Sequence, residues 1–191
     1  RVSAAPAFAA AFLTHRIEAF EQQHRGLELR LEVSHAVADL DVEAIDVAVR
    51  LGVGAPSDLF SELLIPIVAG PVCAPALAAR LRTPADLAQT TRLCISQDPR
   101  GWRPWLKAAG LDEEAAPGRE LWFETLNVAI QGALDGLGVA LAPLTLTAQH
   151  VAAGRLAVVH LVAFLRQLNQ AIDACEQQIA ELVAAKKTAA A

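Results

Sequence analysis

The chain has 191 residues, 54% of them hydrophobic, and a formal net charge of −5. At that length folding buries roughly 70% of the unfolded chain's surface, enough for one domain or two small ones. No apolar run approaches the roughly 18 residues of a membrane span, and sixteen scattered Lys and Arg do not form a surface for a phosphate backbone.

The opening residues, Arg1-Val2-Ser3-Ala4-Ala5-Pro6, lack the basic, apolar and small-residue order of a secretory signal and read as a strand of a longer protein. Ala7 to Gln23 carries Phe8, Phe12, Leu13, Ile17 and Phe20 at the spacing of one helical face. Pro6 suits its first turn. In "LELRLEV", Leu27, Leu29, Leu31 and Val33 alternate with Glu28, Arg30 and Glu32, which predicts a half-buried strand. A short helix near Val37 to Ala44 then leads to a buried strand, Asp46 to Arg50, closed by a loop running to Ser57.

Beyond Leu63-Leu64-Ile65-Pro66, an apolar strand is expected from Ile67 to Cys73, then short helices around Ala74 to Arg80 and after Thr83-Pro84. Leu93 to Ser96 reads as a strand, Trp102 to Ala109 as a helix, Leu121 to Phe123 as a strand, and Thr125 to Asp135 as a helix. Gly136 is placed to end that helix in the left-handed conformation, and Gly138 to loosen the turn. Val139-Ala140-Leu141-Ala142 is apolar at every position, so it needs cover on both faces, as in a parallel sheet between helices. One more helix, Leu144 to Ala153, and one more strand, Leu156 to His160, follow.

The tail differs. Leu161, Leu165, Leu168, Ile172, Cys175, Ile179 and Leu182 recur at alternating intervals of four and three, a heptad seam. Its narrow stripe favours pairing with the same segment of another chain over lying across the first subdomain. Cys73, Cys94 and Cys175 are odd in number and unpaired in sequence, which suggests neither a disulfide framework nor a zinc site and fits a reducing cytoplasm.

The ordered pieces "RVSAAPAFAAAFL", "LELRLEVS", "IDVAVRLG", "PVCAPALAARLRTPADL", "WRPWLKAAGL" and "FETLNVAIQGALDGLGVALAP" resemble the effector-binding domain of LysR-type transcriptional regulators, nearest the branch that includes the glycine-cleavage activator. The resemblance spans residues 1 to about 160. It implies an α/β fold of two subdomains of periplasmic-binding-protein type II, with a ligand cleft between them, followed here by a C-terminal heptad helix. The corresponding division is residues 1–66, residues 67–155, a return strand and heptad helix over 156–183, and a frayed 184–191. No winged helix-turn-helix precedes Arg1, so DNA would be reached only through a part this chain lacks. The implied partners are a small-molecule effector and other copies of the chain, as a dimer or tetramer, with no cofactor and no membrane.

In open α/β sheets, ligands bind beyond the carboxyl ends of the strands. The resemblance places effector contacts at such turns: Ser3 and Ala7 before the first helix, Ser34 and His35 after the second strand, the Arg50 turn, Ser96-Gln97, and Thr125 at the start of the long helix. Thr125 and Ser34 equally suit helix capping, and Arg50 suits a strand-end role at a subdomain junction better than an anion clamp. Ala7 offers no hydroxyl. No nucleophile elbow, zinc-binding helix motif or phosphate loop occurs, so an enzyme is not expected. The rival readings are an exported solute-binding protein of the same fold, and a truncated or fused regulator domain that has lost sensing.

Overall fold

The computed structural model describes residues 1–36, 40, 44–52, 59–96, 101–111 and 118–159. The helix expected near Val37 to Ala44 and the loop to Ser57 fall largely outside these residues. Gln97 and the whole heptad segment fall outside them too.

Two sheets are present. In the first, β1 (Val2–Ala4) lies between β2 (Leu31–Val33) and β3 (Val47–Val49), and both neighbours run parallel to it. The register sets Val2, Ala4, Leu31, Val33, Val47 and Val49 on one face and Ser3, Glu32 and Ala48 on the other. Two expectations need correction here. Only the last three residues of "LELRLEV" form a strand, and the strand expected to be buried at Asp46 to Arg50 is an edge strand whose Val47 is 51% exposed. Alternation identifies a face but does not supply the element that covers it.

The first helical stretch runs from Pro6 to Gln23 in four pieces. These are α1 (Pro6–Phe8), a π-helical piece (Ala9–Leu13), a 3-10 turn (Thr14–Arg16) and α2 (Ile17–Gln23). Side chains compete for its carbonyls: Thr14 Oγ1 donates to Ala10 O at 2.9 Å and Arg16 Nη1 to Phe12 O at 2.7 Å. The Arg16 guanidinium also lies 3.8 Å from the centre of the Phe12 ring. The buried residues are Ala7 and Ala9, while the expected apolar face of Phe8, Phe12, Leu13 and Ile17 is only half-buried.

The second sheet holds β4 (Ala69–Cys73), β5 (Thr91–Ile95), β6 (Arg119–Phe123), β7 (Val139–Pro143) and β8 (Ala157–Val158), in the order β6-β5-β7-β4-β8. It is mixed, not parallel throughout: β5 runs parallel to β6 and β7, whereas β4 runs antiparallel to β7 and β8. The apolar strand β7 is covered on both faces, as its composition requires. Val139 and Leu141 pack with Leu87, Trp102 and Leu106, and Ala140 and Ala142 pack with Leu93, Ala129, Ile130 and Leu156.

The covering layers are helical. One side holds α3 (Pro75–Ala78), a 3-10 turn (Pro84–Gln89) and α4 (Arg103–Ala108); the other holds α5 (Leu126–Leu134), with α6 (Leu144–Ala152) following β7. The start expected at Thr83-Pro84 is present, with Asp86 accepting the N–H groups of Arg82 and Thr83, both at 2.8 Å. Those two donors hold the Asp86 carboxyl below its ordinary pKa. In α5, Ala129, Gly132 and Ala133 are buried, and a Cβ on Gly132 would stand 3.3 Å from Leu93 Cδ1. Small residues bring this helix close to the sheet.

Gly136 has φ +77°, the left-handed conformation expected after the helix. Gly138 acts differently from the expectation: a Cβ there would lie 2.2 Å from Thr91 O. It is required by close approach of β7 to the backbone of β5, not by turn flexibility. Gly138→Ala should therefore cost more than about 3 kcal/mol, because backbone rather than a movable side chain meets the new methyl. Gly136→Ala, limited to left-handed strain, should cost about 1–2 kcal/mol. Urea titration of both variants checks the order.

Cys73 and Cys94 are buried in this core, and burial pushes both thiols up to about 11 from 9.0. Raised folded pKa values hold the thiols protonated, so this contribution to stability is complete below pH 9 and lost as pH rises towards 11. Both cysteines should resist alkylation at pH 8 in the folded chain and react promptly in 6 M guanidinium. Peptide mass mapping reads both states.

Candidate functional site

The carboxyl ends of the first sheet's three strands are joined by one side chain. Arg50 follows β3, and its guanidinium donates through all five N–H groups. Nη2 reaches Ser3 Oγ at 2.6 Å and Ala36 O at 3.0 Å. Nη1 reaches Ser3 O and Val49 O, both at 2.9 Å, and Nε reaches Ala36 O at 3.2 Å. Ser3, 2% exposed, is thus occupied by Arg50. The strand-end role is the one the geometry displays.

Ser34 sits beside this junction. Its N–H donates to Ala4 O at 3.1 Å, and its Oγ accepts the Ala36 N–H at 3.0 Å. The bond closes a local turn over Ser34 to Ala36. Ala7 is buried in the first turn of α1, where the backbone begins its π-helical departure.

The second group of expected residues lies at the carboxyl ends of β5 and β6. Ser96 donates to Phe123 O through both N–H, at 2.9 Å, and Oγ, at 3.2 Å, and so holds the two strand ends together. Thr125 occupies the N-cap position of α5 in an extended conformation (φ −128°, ψ 150°), yet its side chain makes no capping hydrogen bond. The first N–H groups of α5 have no intrahelical acceptors, so this helix end presents donors and partial positive charge.

The two groups approach each other where α1 packs against α5. Beside this contact is a groove of about 190 Å³ between the first helical stretch, α5 and α6. Ala7, Ala10, Ile130 and Leu146 give it apolar walls, while Asn127, Gln131, His15 and His150 add polar groups. Desolvation lowers the His150 pKa, and the Arg155 charge lowers it further. The neutral ring lies with Nδ1 2.6 Å from Arg155 Nη2.

Sequence reasoning missed the groove. One signal was present: Asn127 and Gln131, four apart, interrupt an otherwise apolar helix and share a face with Leu134. Among the described residues no group of three or more His, Cys, Asp or Glu could hold a metal ion, and no helix is long and apolar enough to cross a membrane.

Comparison with known proteins decides the family. The LysR substrate binding domain model matches residues 1–174. The chain belongs to the LysR substrate-binding domain family. The matched range runs past His160, into the first part of the heptad segment. Among relatives, the HTH-type transcriptional activator AmpR of Pseudomonas aeruginosa is 35% identical over 151 residues, 79% of this chain and 51% of that protein. The glycine cleavage system transcriptional activator of Escherichia coli K12 is 31% identical over 158 residues, 81% of this chain and 51% of that one.

This LysR domain therefore spans about half the length of the curated relatives it matches. Its mixed α/β fold is that of LysR effector-binding domains, the type II periplasmic-binding-like class. The effector domain of AmpR from Pseudomonas aeruginosa superposes with a TM-score of 0.72 at 32% identity, covering 83% of this chain and 77% of that one. The AmpR effector binding domain from Citrobacter freundii, 23% identical, shares the fold with a TM-score of 0.74 over 84% of this chain and 80% of its own.

Arg50→Ala removes bonds to three backbone carbonyls and one hydroxyl. It should lower stability by about 2–3 kcal/mol. Arg50→Lys should rescue little of this, because one ammonium cannot span the same acceptors. Chemical denaturation of the two variants measures the difference.

Proposed function

We propose that this LysR domain senses a small anionic or amphipathic metabolite held in a cleft between two subdomains, residues 1–66 and 67–155. The observation that carries the reading is Thr125: its side chain makes no capping bond at the N-terminus of α5, a helix end that favours negative charge. Ser34 and Ser96 stand at strand ends of the two sheets; Ser34 Oγ accepts the Ala36 N–H and can still donate its own proton, whereas Ser96 Oγ donates to Phe123 O and is left with acceptor capacity. Ala7 supplies an apolar wall and Ser3 with Arg50 a rigid floor, since the Arg50 donors are already engaged.

Such a ligand would act through its different affinity for two arrangements of the chain or of its assembly. The regulator is read as a cytoplasmic homo-oligomer that reaches DNA through another part of the protein and catalyses no reaction. Its relatives are transcriptional regulators, which supports that reading.

Calorimetric screening of amino acids and aromatic acids against the purified chain should find a ligand. Thr125→Ala combined with Ser34→Ala should weaken it at least tenfold, the loss of about one charge-assisted hydrogen bond. An unchanged affinity in the double variant places the effector elsewhere.

A further inference from the structure

At the end of the second sheet away from Ser96 and Thr125, the surface holds a cavity of about 230 Å³. Thr91, the first residue of β5, lines it, as does the turn Gly136-Leu137-Gly138 that follows α5. Ser96 comes just after the other end of β5, and Thr125 just before the other end of α5. The cavity and the candidate effector site are thus separated by one strand and one helix, and α5 alone is about 13 Å long.

Two opposite charges border this space. Arg80, just after α3, and Asp86, in the 3-10 turn, both line it, beside the apolar groups of Leu77, Leu81 and Leu137. Asp86 is fixed in position, because its Oδ2 accepts the N–H groups of Arg82 and Thr83, and those bonds keep the carboxyl below its ordinary pKa. A carboxylate offers about four acceptor sites, so it can take a further donor. Arg80 is uncommitted: among the described residues its guanidinium makes no hydrogen bond and no ion pair, with Asp86 or with any other group. A cation and an anion that face one cavity without meeting leave a gap complementary to a molecule carrying both signs.

We infer that this cavity is a second ligand site, built for a small zwitterion with a short aliphatic group, the chemistry of a free α-amino acid. The ligand carboxylate meets the planar fork of Arg80, which matches two oxygens at once. Its ammonium donates to Asp86. Its side chain covers Leu77, Leu81 and Leu137, the last of which is 53% exposed and has apolar surface to bury. Size is limited by the volume, which falls below the roughly 300 Å³ at which drug-sized pockets begin, so nucleotides and peptides do not fit. An anion alone would bring a like charge to Asp86 and a cation alone would bring one to Arg80, so the pair of residues selects for both charges together.

Titration of the isotope-labelled full chain, followed through its amide resonances, tests the site. The probes are L-alanine and L-leucine, each compared with its N-acetyl derivative, which lacks the ammonium, and its amide, which lacks the carboxylate. At least one of the two amino acids should shift Thr90, Leu137 and Gly138 saturably, and both of its derivatives should bind at least tenfold more weakly. Arg80→Gln should weaken the amino acid at least tenfold, and so should Asp86→Asn, which keeps an oxygen for the Arg82 and Thr83 N–H groups. The amide spectra also show that these variants are folded. Thr125→Ala with Ser34→Ala should leave this binding unchanged, which separates failure here from failure of the effector assignment. No saturable shift at these three amides with either amino acid at millimolar concentration, equal binding of the derivatives, or full affinity in both charge variants overturns the inference.

Discussion

The second sheet depends on strand β7 lying within reach of two backbones at once. It pairs parallel with β5 on one edge and antiparallel with β4 on the other. Its side chains alternate between two packed clusters, Val139 and Leu141 to one and Ala140 and Ala142 to the other. A one-residue slip would exchange the two sets, placing branched side chains where alanines admit α5. The missing Cβ of Gly138 permits the approach to Thr91, and the small residues of α5 use the space this leaves. The position of the α5 N-terminus, and with it Thr125, follows from that approach.

The first sheet is held by different means. Its residues do not enter either of the two buried clusters around the second sheet, and its cohesion comes from polar links at both ends of its strands. Arg1 pairs with Glu32, and its ammonium with Asp46, at one end; Arg50 joins β1, β3 and the turn after β2 at the other. The links at the Arg1 end are exposed and contribute little individually. The Arg50 junction is part-buried and geometrically saturated, so it orders the strand ends without leaving a donor for a ligand.

Legibility in the sequence followed the strength of local signals. The α5–β7 unit could be read almost residue for residue because Thr125, Gly136 and the unbroken apolar strand each carry a backbone requirement. The π-helical piece could not, since it arises from competition by Thr14 and Arg16 for carbonyls. The exposure of Val47 and Leu27 was hidden for another reason: alternation is the same whether or not a neighbour covers the face. At the site, Arg50 was legible as a strand-end residue, but the saturation of its five donors depends on where the Ser3 and Ala36 carbonyls converge. That convergence is a property of three distant segments.

The placement of the aromatic residues gives the chain an optical asymmetry. It has three tryptophans and no tyrosine, so its near-ultraviolet absorption is almost wholly indole. Trp102 and Trp105 are buried edge to face with centroids 5.7 Å apart, and Trp102 Nε1 donates to Leu93 O at 3.3 Å. Trp122, on edge strand β6 and 55% exposed, stands three residues before Thr125. Emission thus divides into a blue, shielded pair that registers the integrity of the core and a red, quencher-accessible indole at the sheet edge. The protein carries its own two-channel fluorophore, with one channel blind to solvent and the other open to it.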